Sequence, residues 1–555
     1  MMAELTNPVL KGFHPDPSFL CVGQDWYLAT STFEWWPGVR LFHSSDLAHW
    51  ERLPSPLTRK SQLDLTGVAD SGGVWAPHLS WCDGKFYLIY SNVHNFGGTF
   101  YDVDNYLVTA SDIRGPWSEP VFLNSSGFDP SLFHAPDGRK YLLNMAAEYR
   151  TWKVRFAGIM MQEYSEAEGK LIGEPRMLWR GSSSRTTEGP ALYYKDGWYY
   201  LFCAEGGTGV RHCEVVLRSR HIDGPYERGP YEPLITAWPY PANPLQKAGH
   251  ASIAQGADGS WFLAHLCGRP VGPDKDCILG RETAIQPLEW RDGWPCLQGG
   301  TDEPRLTVET PYPDCPVPAD SAEGVDWAEE FDAAVWGDRL QSLRQPLGDR
   351  ASLTARPGWL RLYGAQSLES RFTQSLLAAR QQHFNCRVET RIDFDPVDYH
   401  HTAGLVYYYD NNSHYYLALT RDERLGRVLT LMRRRLKQFD MPIGAGVPVP
   451  DGALTLRLET NTATAQFYWS ADGEKFAAIG PELDATVLSD DAPERILHEN
   501  RFTGAFVGIC CQDLTGQRRR ADFDYFRYNS REYCPKAGRE SPARFSAEIK
   551  GDDHG

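Results

Sequence analysis

Three acidic residues with similar neighbours are the first candidates for chemistry in this sequence. Two of them open the tripeptide Asp-Pro-Ser, at Asp16 and at Asp129, and the third opens Glu-Gly-Pro at Glu188. A single Asp-Pro-Ser is usually a turn, because Asp and Pro both favour turn geometry. If a repeated fold brings the three acids together, however, their like charges must spread their pKa values. Acid–base hydrolysis needs that spread, since one carboxyl group must stay protonated while another is ionised.

The elements that would position these acids recur along the first 300 residues. Five similar units open with Asp16-Pro17-Ser18, Trp75-Ala76-Pro77, Asp129-Pro130-Ser131, Glu188-Gly189-Pro190 and Gly249-His250-Ala251. Strand patterns and turn cues such as CDGKFYL and KDGWYYLF follow these openings. Five strand-rich units spaced about 54 to 62 residues apart predict a five-bladed β-propeller. A sandwich is the alternative, but it does not explain the regular spacing. Because the innermost strand of each blade lines the propeller axis, we expect the three acids to converge on one funnel.

The rest of the chain predicts a second all-β domain. Residues 1–305 are assigned to the propeller, and residues 306–326, rich in Pro, Gly and acidic side chains, to a linker over its surface. Alternating strand patterns resume at Trp327 and predict a jelly-roll β-sandwich over residues 327–530. Residues 531–555 are polar and are predicted to be poorly ordered.

Composition limits the classes of partner. With 56 basic and 72 acidic residues the net charge is −16, which argues against nucleic acid or an anionic membrane as a partner. No run of about 18 apolar residues and no secretory signal pattern occurs, so we expect a cytoplasmic protein. The 12 cysteines form no Cys-x-x-Cys pair, which favours reduced thiols over a zinc site or disulfide framework. The 18 Trp and 27 Tyr residues suit sugar stacking, although β-rich folds also use aromatics.

Several segments together resemble the family 43 glycoside hydrolases, and specifically the two-domain β-xylosidases of that family. The matching segments are NPVLKGFHPDPSF, GVWAPHLSW, GFDPSLFHAPDGRKYLLN, SSSRTTEGPALYY, NPLQKAGHASIAQ and LGRETAIQPLEW. The resemblance covers about residues 5–530. It implies a five-bladed propeller, inversion at the anomeric carbon and no catalytic metal. Inverting glycosidases hold two carboxyl groups ~6.5–9.5 Å apart, so that a water molecule fits between them and the sugar.

The resemblance also implies roles for individual residues. Asp16 corresponds to the general base that activates water, and Glu188 to the general acid that protonates the leaving oxygen. Asp129 corresponds to a third carboxylate that raises the pKa of the acid and orients it. Arg281 corresponds to an arginine that holds sugar hydroxyls and interacts with Asp129, a task that suits its permanently charged fork of donors. His250 corresponds to a histidine at the floor of the funnel.

Aromatic residues are expected to form the pocket. By the same resemblance, Phe33 and Trp75 are walls for a terminal xylose, and Phe506 is a phenylalanine that the sandwich sends into the pocket mouth. Such a closed pocket would release xylose from the non-reducing ends of β-1,4-xylo-oligosaccharides. Three alternatives remain open: an α-L-arabinofuranosidase, alone or with xylosidase activity; an endo-acting xylanase or arabinanase; and a non-catalytic carbohydrate-binding protein.

Some positions depart from the family pattern, and others suggest further properties. Ala147 stands where relatives carry Trp, and Ala191 where they often carry His, so the sugar preference of the pocket mouth is expected to differ.

Glu330, Asp332 and Asp524, near the ends of the sandwich, offer oxygen ligands for a structural calcium ion, although solvated strand-end acids are the alternative. The resemblance further suggests a homo-oligomer, either a dimer or a tetramer.

Overall fold

The computed structural model describes residues 2–318, 321 and 326–531, and it is almost entirely β-sheet. The predicted architecture is confirmed: a five-bladed β-propeller is followed by a β-sandwich. The predicted linker contains the strand Thr307–Pro313, which pairs with the N-terminal strand Met2–Thr6. Of the tail predicted at 531–555, all residues after Arg531 lie outside the described part of the chain.

Each propeller blade is an antiparallel sheet whose four main strands follow one another in sequence. Blade 1 contains Ser18–Val22, Asp25–Thr30, Arg40–Ser44 and Glu51–Leu53; blade 2 contains Gly73–Cys82, Lys85–Asn95, Asp102–Ala110 and Val121–Asn124; blade 3 contains Ser131–His134, Lys140–Ala147, Phe156–Ser165 and Lys170–Trp179; blade 4 contains Glu188–Lys195, Trp198–Glu205, Cys213–Ser219 and Glu227–Arg228, with Ile235–Thr236 beside its third strand; blade 5 contains Gln246–Gln255, Trp261–Gly268, Arg281–Arg291 and Trp294–Leu297.

In blades 2 and 4 the Asp-Gly turn cue is a two-residue hairpin loop between the first two strands. In blade 2, Cys82 pairs with Lys85 across the loop, and Asp83 and Gly84 have φ values of 51° and 75°. Two central residues with positive φ give a turn whose twist matches that of the paired strands, which is why Asp-Gly is favoured there. The loop at Asp196 in blade 4 has the same form.

The chain closes the propeller through its N-terminal segment. Leu10 exchanges two main-chain hydrogen bonds of 3.2 Å with Thr283 in the third strand of blade 5. The His14 amide donates to the Arg281 carbonyl oxygen at 2.9 Å. Asp16 is thereby held next to the blade that carries Arg281.

The sandwich consists of two facing antiparallel sheets and little helix. One sheet has the order Ala351–Ser352, Leu360–Tyr363, Arg520–Ser530, Cys386–Asp393, Leu454–Asn461, Thr464–Ser470 and Ala477–Asp484, with Asp326–Glu329 beside Arg520–Ser530; the other has the order Ser375–Arg380, Phe506–Asp513, His401–Asp410, Ser413–Asp422, Gly426–Arg435 and Gln438–Asp440, with Val447–Pro448 beside Gly426–Arg435. The helical elements are the α-helix Asp491–Leu497 and the 3₁₀ turns Gly348–Arg350 and Ala485–Val487.

Propeller and sandwich share a continuous interface. The short strand Trp35–Trp36 of the propeller pairs with Ser342–Leu343 at the start of the sandwich domain. Buried ion pairs cross the same boundary: Arg344 Nη2 lies 2.7 Å from Asp70 Oδ1, and Lys247 Nζ lies 2.5 Å from Asp491 Oδ1. One apolar cluster contains residues of both domains. The sandwich is therefore packed firmly against the face of the propeller.

The cysteines and the helices of the described residues bear on two further predictions. All 11 cysteines of the described residues are free, including the adjacent Cys510 and Cys511. Within the described ranges, none of the helices has the length and apolar character needed to cross a membrane.

Candidate active site

A cavity of about 690 Å³ lies where the inner strands of the propeller meet the sandwich. Seven of the eight predicted catalytic and sugar-binding residues line it: Asp16, Phe33, Trp75, Asp129, Glu188, His250 and Arg281. The sandwich contributes the segment from His498 to Phe502 to the same cavity. The site is therefore built by both domains.

The three acids occupy equivalent places at the start of the innermost blade strands. Asp16 and Asp129 each precede their strand by two residues, and Glu188 is the first residue of its strand. Asp16 and Asp129 both have a φ of 55°, in the left-handed region that non-glycine residues seldom adopt. Such backbone strain is concentrated at functional sites, because the surrounding structure must hold it in place.

Asp16 is held in its ionised form by three neighbours. Its Oδ1 accepts a hydrogen bond from Arg281 Nη1 at 2.8 Å and lies 3.8 Å from His250 Nδ1, and its Oδ2 accepts one from the Ser31 hydroxyl at 2.7 Å. Burial by itself would raise the pKa of Asp16, but Arg281, His250 and Ser31 outweigh it and leave the pKa below its ordinary value. A buried carboxylate of this kind can accept a proton from water.

Glu188 is in the opposite state. Burial is the main factor that raises its pKa well above the ordinary value, and the nearby charges of Asp129 and Asp16 raise it further. Its carboxyl group has no hydrogen-bond partner among the described residues, although it lines the cavity. Both effects favour the protonated form of Glu188, whose proton can then be given to a bound ligand.

Asp129 lies between these two states. Burial raises its pKa to about 6, and Asp16 adds to the effect, while His250 and the Gly189 amide oppose it. That amide, next to Glu188 in sequence, donates to Asp129 Oδ2 at 3.0 Å. Asp129 thus fixes the backbone beside Glu188. Its negative charge also disfavours ionisation of the Glu188 side chain.

Arg281 interacts with Asp129 through its charge, which lowers the pKa of Asp129, but its hydrogen bonds are made to other groups. Its Nη1 donates to Asp16 and not to Asp129, and its Nη2 donates to the main-chain oxygen of Phe502 at 3.1 Å. Its Nε is buried and has no partner among the described residues. The physical reason is position: the N-terminal segment lies along blade 5, so Asp16 is adjacent to Arg281.

Seven of the described residues that line the cavity are aromatic, and several of them pack around Trp75. The ring centroid of Trp75 lies 5.9 Å from that of Phe33, 5.1 Å from that of Phe96 and 5.4 Å from that of Phe502. The Trp75 indole donates through Nε1 to the Ser71 carbonyl oxygen at 2.8 Å, which fixes the ring. Flat, rigid rings of this kind suit the apolar C–H faces of sugars.

The prediction for Phe506 was wrong in its position. Phe506 is fully buried, with 0% exposure, and stacks on Trp35 with ring centroids 3.7 Å apart. The phenylalanine that the sandwich sends into the cavity is Phe502, four residues earlier, whose amide donates to the Ser71 hydroxyl at 3.0 Å. Phe506 begins an interior strand facing the propeller, whereas Phe502 lies in the loop before that strand.

Histidines lie at the base of the cavity. His250 has a φ of 49°, and its ring packs on Gly189, where an added Cβ would come within 3.1 Å of the ring. His212, which was not predicted from the sequence, also lines the cavity, and its buried Nε2 has no partner among the described residues. Burial lowers the pKa of His212 to about 3, so it is neutral. Only a weak signal, a histidine before the third strand of blade 4, could have pointed to it.

The two departures from the family pattern lie in different surroundings. Ala191 is buried in the apolar core between blades 4 and 5 and does not line the active-site cavity. Ala147 ends the second strand of blade 3 and lines a neighbouring cavity.

The three acids predicted to bind calcium are not grouped around one point in the described part of the chain. Glu330 pairs with Arg527 at 3.0 Å, and Asp524 pairs with Arg391 at 3.2 Å. Among the described residues, the one group of His, Cys, Asp and Glu side chains close enough to hold a metal ion is Asp46, His49 and Asp314. Glu330 and Asp524 therefore each lie beside an arginine that offsets their charge, and the binding of a calcium ion stays a prediction.

The arrangement can perform acid–base hydrolysis. A protonated carboxyl group, an ionised carboxylate and a third acid of intermediate pKa face one cavity with aromatic walls. Two carboxyl groups whose surroundings separate their pKa values in this way are suited to opposite roles in proton transfer.

Comparisons with known proteins agree with this chemistry. The chain is 46% identical over 540 residues to a β-xylosidase of Bacillus subtilis, a match that covers 95% of this chain and 100% of the relative. It is 44% identical over 536 residues to xylosidase/arabinosidase 43B of Humicola insolens, covering 95% and 98% of the two chains. The crystal structure of xylan β-1,4-xylosidase from Bacillus halodurans superposes with a TM-score of 0.91 at 48% identity, covering 95% of this chain and 100% of that one.

Family models match both domains. Residues 328–529 match the Beta xylosidase C-terminal Concanavalin A-like domain, and residues 5–295, which carry all three acids, match Glycosyl hydrolases family 43. The chain is therefore a glycoside hydrolase that belongs to glycosyl hydrolases family 43.

Proposed function

We propose that the chain is an exo-acting, inverting β-xylosidase that releases xylose from the non-reducing end of β-1,4-xylo-oligosaccharides. One observation carries this proposal: Asp16 and Glu188 line the same cavity, and the pKa of Asp16 is lowered while that of Glu188 is raised. The names of relatives at 46% and 48% identity support xylose as the sugar that is released.

In the proposed reaction, Glu188 donates its proton to the glycosidic oxygen as the bond from that oxygen to the anomeric carbon breaks. A water molecule attacks the anomeric carbon from the opposite face, and Asp16 accepts a proton from it. The products are xylose, whose new hydroxyl is on the α face, and an oligosaccharide one unit shorter. One water molecule is consumed, and proton exchange with solvent returns both carboxyl groups to their starting states.

Arg281 and Asp129 would support this reaction without taking part in bond exchange. Arg281 keeps Asp16 ionised and in place through the 2.8 Å hydrogen bond. Asp129 keeps Glu188 protonated through its nearby negative charge. Preorganised charges of this kind stabilise developing charge without reorganising during the reaction.

The aromatic wall that Phe502 adds to the cavity supports exo action. Phe502 packs against Phe33, Trp75 and Phe96, with ring centroids 5.4 to 6.2 Å apart. An open groove that accepts the middle of a polymer would require this wall to be absent. The pocket therefore suits a single terminal sugar.

A second candidate is an α-L-arabinofuranosidase activity, alone or together with the first. It is favoured by the relative named xylosidase/arabinosidase 43B, which is 44% identical to this chain. Hydrolysis of arabinosides without hydrolysis of xylobiose would make this the main activity.

The setting of the enzyme is also part of the proposal. Free cysteines throughout the described residues suit the reducing cytoplasm. Catalysis without a metal and assembly into a dimer or tetramer stay predictions. Activity after treatment with a chelator would test the first, and sedimentation would test the second.

The decisive experiment is proton NMR of xylobiose, recorded within minutes of adding enzyme, beside a Glu188→Ala sample. Early α-xylose from the non-reducing unit, absent with the variant, is the expected result. Early β-xylose would mean retention and would overturn the role of Asp16. If xylobiose is not cleaved, the same assay with an arabinoside decides between the second candidate and a binding protein.

A further inference from the structure

A second cavity of about 430 Å³ lies beside the active site, between blades 2 and 3. Tyr101 lines both cavities, and the ring of Phe128, which lines the active-site cavity, has its centroid 5.3 Å from that of Tyr101. We call this second space the side cavity. Ala147 lines it, and its small side chain leaves the space open.

The polar part of the side cavity is neutral and already ordered. Asn124 Nδ2 donates to Asn144 Oδ1 at 3.2 Å, and Asn144 Nδ2 donates to the Ser126 hydroxyl at 3.1 Å. The Ser125 hydroxyl is fixed by Asp104 at 2.6 Å. Amide and hydroxyl oxygens held in place in this way have further lone pairs for ligand hydroxyls. Fixing them in advance also lowers the entropy cost of binding.

The apolar part consists of two exposed aromatic rings. Phe100 is 57% exposed and Tyr149 is 56% exposed, and their ring centroids lie 5.0 Å apart with planes inclined by 35°. Exposed aromatics that form a platform beside ordered amides suit a ligand that has both C–H faces and hydroxyl edges.

The charge of the side cavity excludes ionic ligands. Glu148 is the one charged residue among the described residues that line it, and Arg150 pairs with its carboxylate at 2.5 Å. A neutral saccharide fits these features better than a phosphate, a carboxylate or a cation.

We propose that the side cavity binds a further sugar unit of the leaving group, beyond the unit attached to the bond that is cleaved. This inference rests on the proposed function. In the proposed function the active-site cavity takes the terminal sugar, so a further saccharide unit in the neighbouring side cavity would belong to the leaving group. Tyr101 lies at the boundary, where a third unit would leave the first cavity and enter the second.

The test compares a substrate that reaches the side cavity with one that does not. Xylotriose supplies a third unit and xylobiose does not, so the ratio of their kcat/KM values measures the contribution of the side cavity. We expect Tyr149→Ala, Phe100→Ala and the space-filling Ala147→Trp each to lower this ratio by about two- to tenfold, the effect of losing about 0.5–1.5 kcal/mol of aromatic contact.

The matched control is Trp152→Ala. Trp152 is 77% exposed and does not line the side cavity, so the ratio should stay at its wild-type value. Thermal melting of each variant checks that the fold is retained. Unchanged ratios in all three side-cavity variants would overturn the inference while leaving the proposed function intact.

Failure of the proposed function would give a different result. If the wild-type enzyme cleaves neither substrate, saturation-transfer NMR of xylotriose still reports which sugar unit contacts the protein. Contact with the reducing-end unit that is weakened by Tyr149→Ala supports the side cavity. The same contact pattern in both proteins overturns it.

Discussion

The guanidinium of Arg281 donates a 2.8 Å hydrogen bond to Oδ1 of Asp16 and, through its other terminal nitrogen, a 3.1 Å bond to the main-chain oxygen of Phe502. One planar cation therefore joins the proposed base, which belongs to the propeller, to the aromatic wall, which belongs to the sandwich. The chemistry of the site and its shape depend on the same side chain.

Replacing this cation is expected to impair both functions. Arg281→Lys keeps the charge but not the fork that reaches Asp16 and Phe502 together. We expect kcat/KM for xylobiose to fall about 10- to 100-fold, the effect of losing a charged hydrogen bond of about 1.5–3 kcal/mol. Arg281→Gln should in addition raise the pKa of Asp16, so the acidic limb of the pH profile of kcat/KM moves to higher pH. An unmoved acidic limb in Arg281→Gln would contradict the assigned partner.

The alkaline limb should depend on Asp129. Glu188 must be protonated to act as an acid, and the negative charge of Asp129 helps to raise its pKa. In Asp129→Asn that charge is lost while an oxygen remains to accept from the Gly189 amide. The alkaline limb of kcat/KM should therefore move to lower pH. The exposed Asp137→Asn, in the same blade, is the matched control, and equal profiles for the two variants would refute the coupling.

The need for Glu188 should depend on the leaving group. A sugar leaving group requires protonation, whereas an activated aryl group leaves without it. We expect Glu188→Ala to lower kcat for xylobiose by about 10² to 10⁴-fold, the usual contribution of a general acid, and to lower it much less for a dinitrophenyl β-xyloside. Parallel measurements on both substrates check this. Equal losses would mean that Glu188 has another role.

The fold and the three acids could be predicted because they depend on local, repeated signals. Asp-Gly hairpins, aromatic strands and the five unit openings each report on a few neighbouring residues, and a propeller repeats them with fixed geometry. Asp16, Asp129 and Glu188 were found together because each stands at the same point of its unit. The cavity they line follows from that symmetry.

The contacts made across the two domains could not be predicted in the same way. The sequence offers Phe502 and Phe506 as two aromatics four residues apart, and only the docking of the sandwich decides which one enters the cavity. The hydrogen bond from Arg281 to Asp16 was not predicted, because it depends on the course of the N-terminal segment along blade 5. The surroundings of the predicted calcium ligands could not be foreseen either, because the sequence does not reveal which arginines lie beside Glu330 and Asp524.

The two phenylalanines should respond differently to truncation. Phe502→Ala removes part of the pocket wall, so we expect kcat/KM for xylobiose to fall about tenfold with little change in melting temperature. Phe506→Ala leaves a buried cavity against Trp35, so we expect a loss of about 3–5 kcal/mol in the free energy of unfolding. Kinetics and urea denaturation of both variants check this. A stability loss for Phe502→Ala as large as that for Phe506→Ala would assign both residues to the core.

The domain boundary should lose stability as the pH rises, because of Glu34. This residue is 1% exposed; its Oε2 accepts from the Ser71 amide at 3.1 Å, and its Oε1 has no partner among the described residues. Burial raises its pKa from 4.5 to about 8, although Arg344 opposes the shift. A carboxyl group whose pKa is raised by folding contributes stability below pH 4.5, and that contribution is lost as the pH rises through about 8.

Glu34→Gln removes this titration and keeps an oxygen for the Ser71 amide. The variant should therefore gain stability relative to the wild-type protein between pH 5 and pH 8.5, and the gain should increase with pH. Urea denaturation at several pH values measures the difference, with the exposed Glu174→Gln as the matched control. Because Ser71 also binds the amide of Phe502 and the indole of Trp75, a wild-type protein that loosens here at high pH should lose substrate affinity over the same range. A difference between Glu34→Gln and wild type that stays constant with pH would show that Glu34 is already ionised in the folded protein.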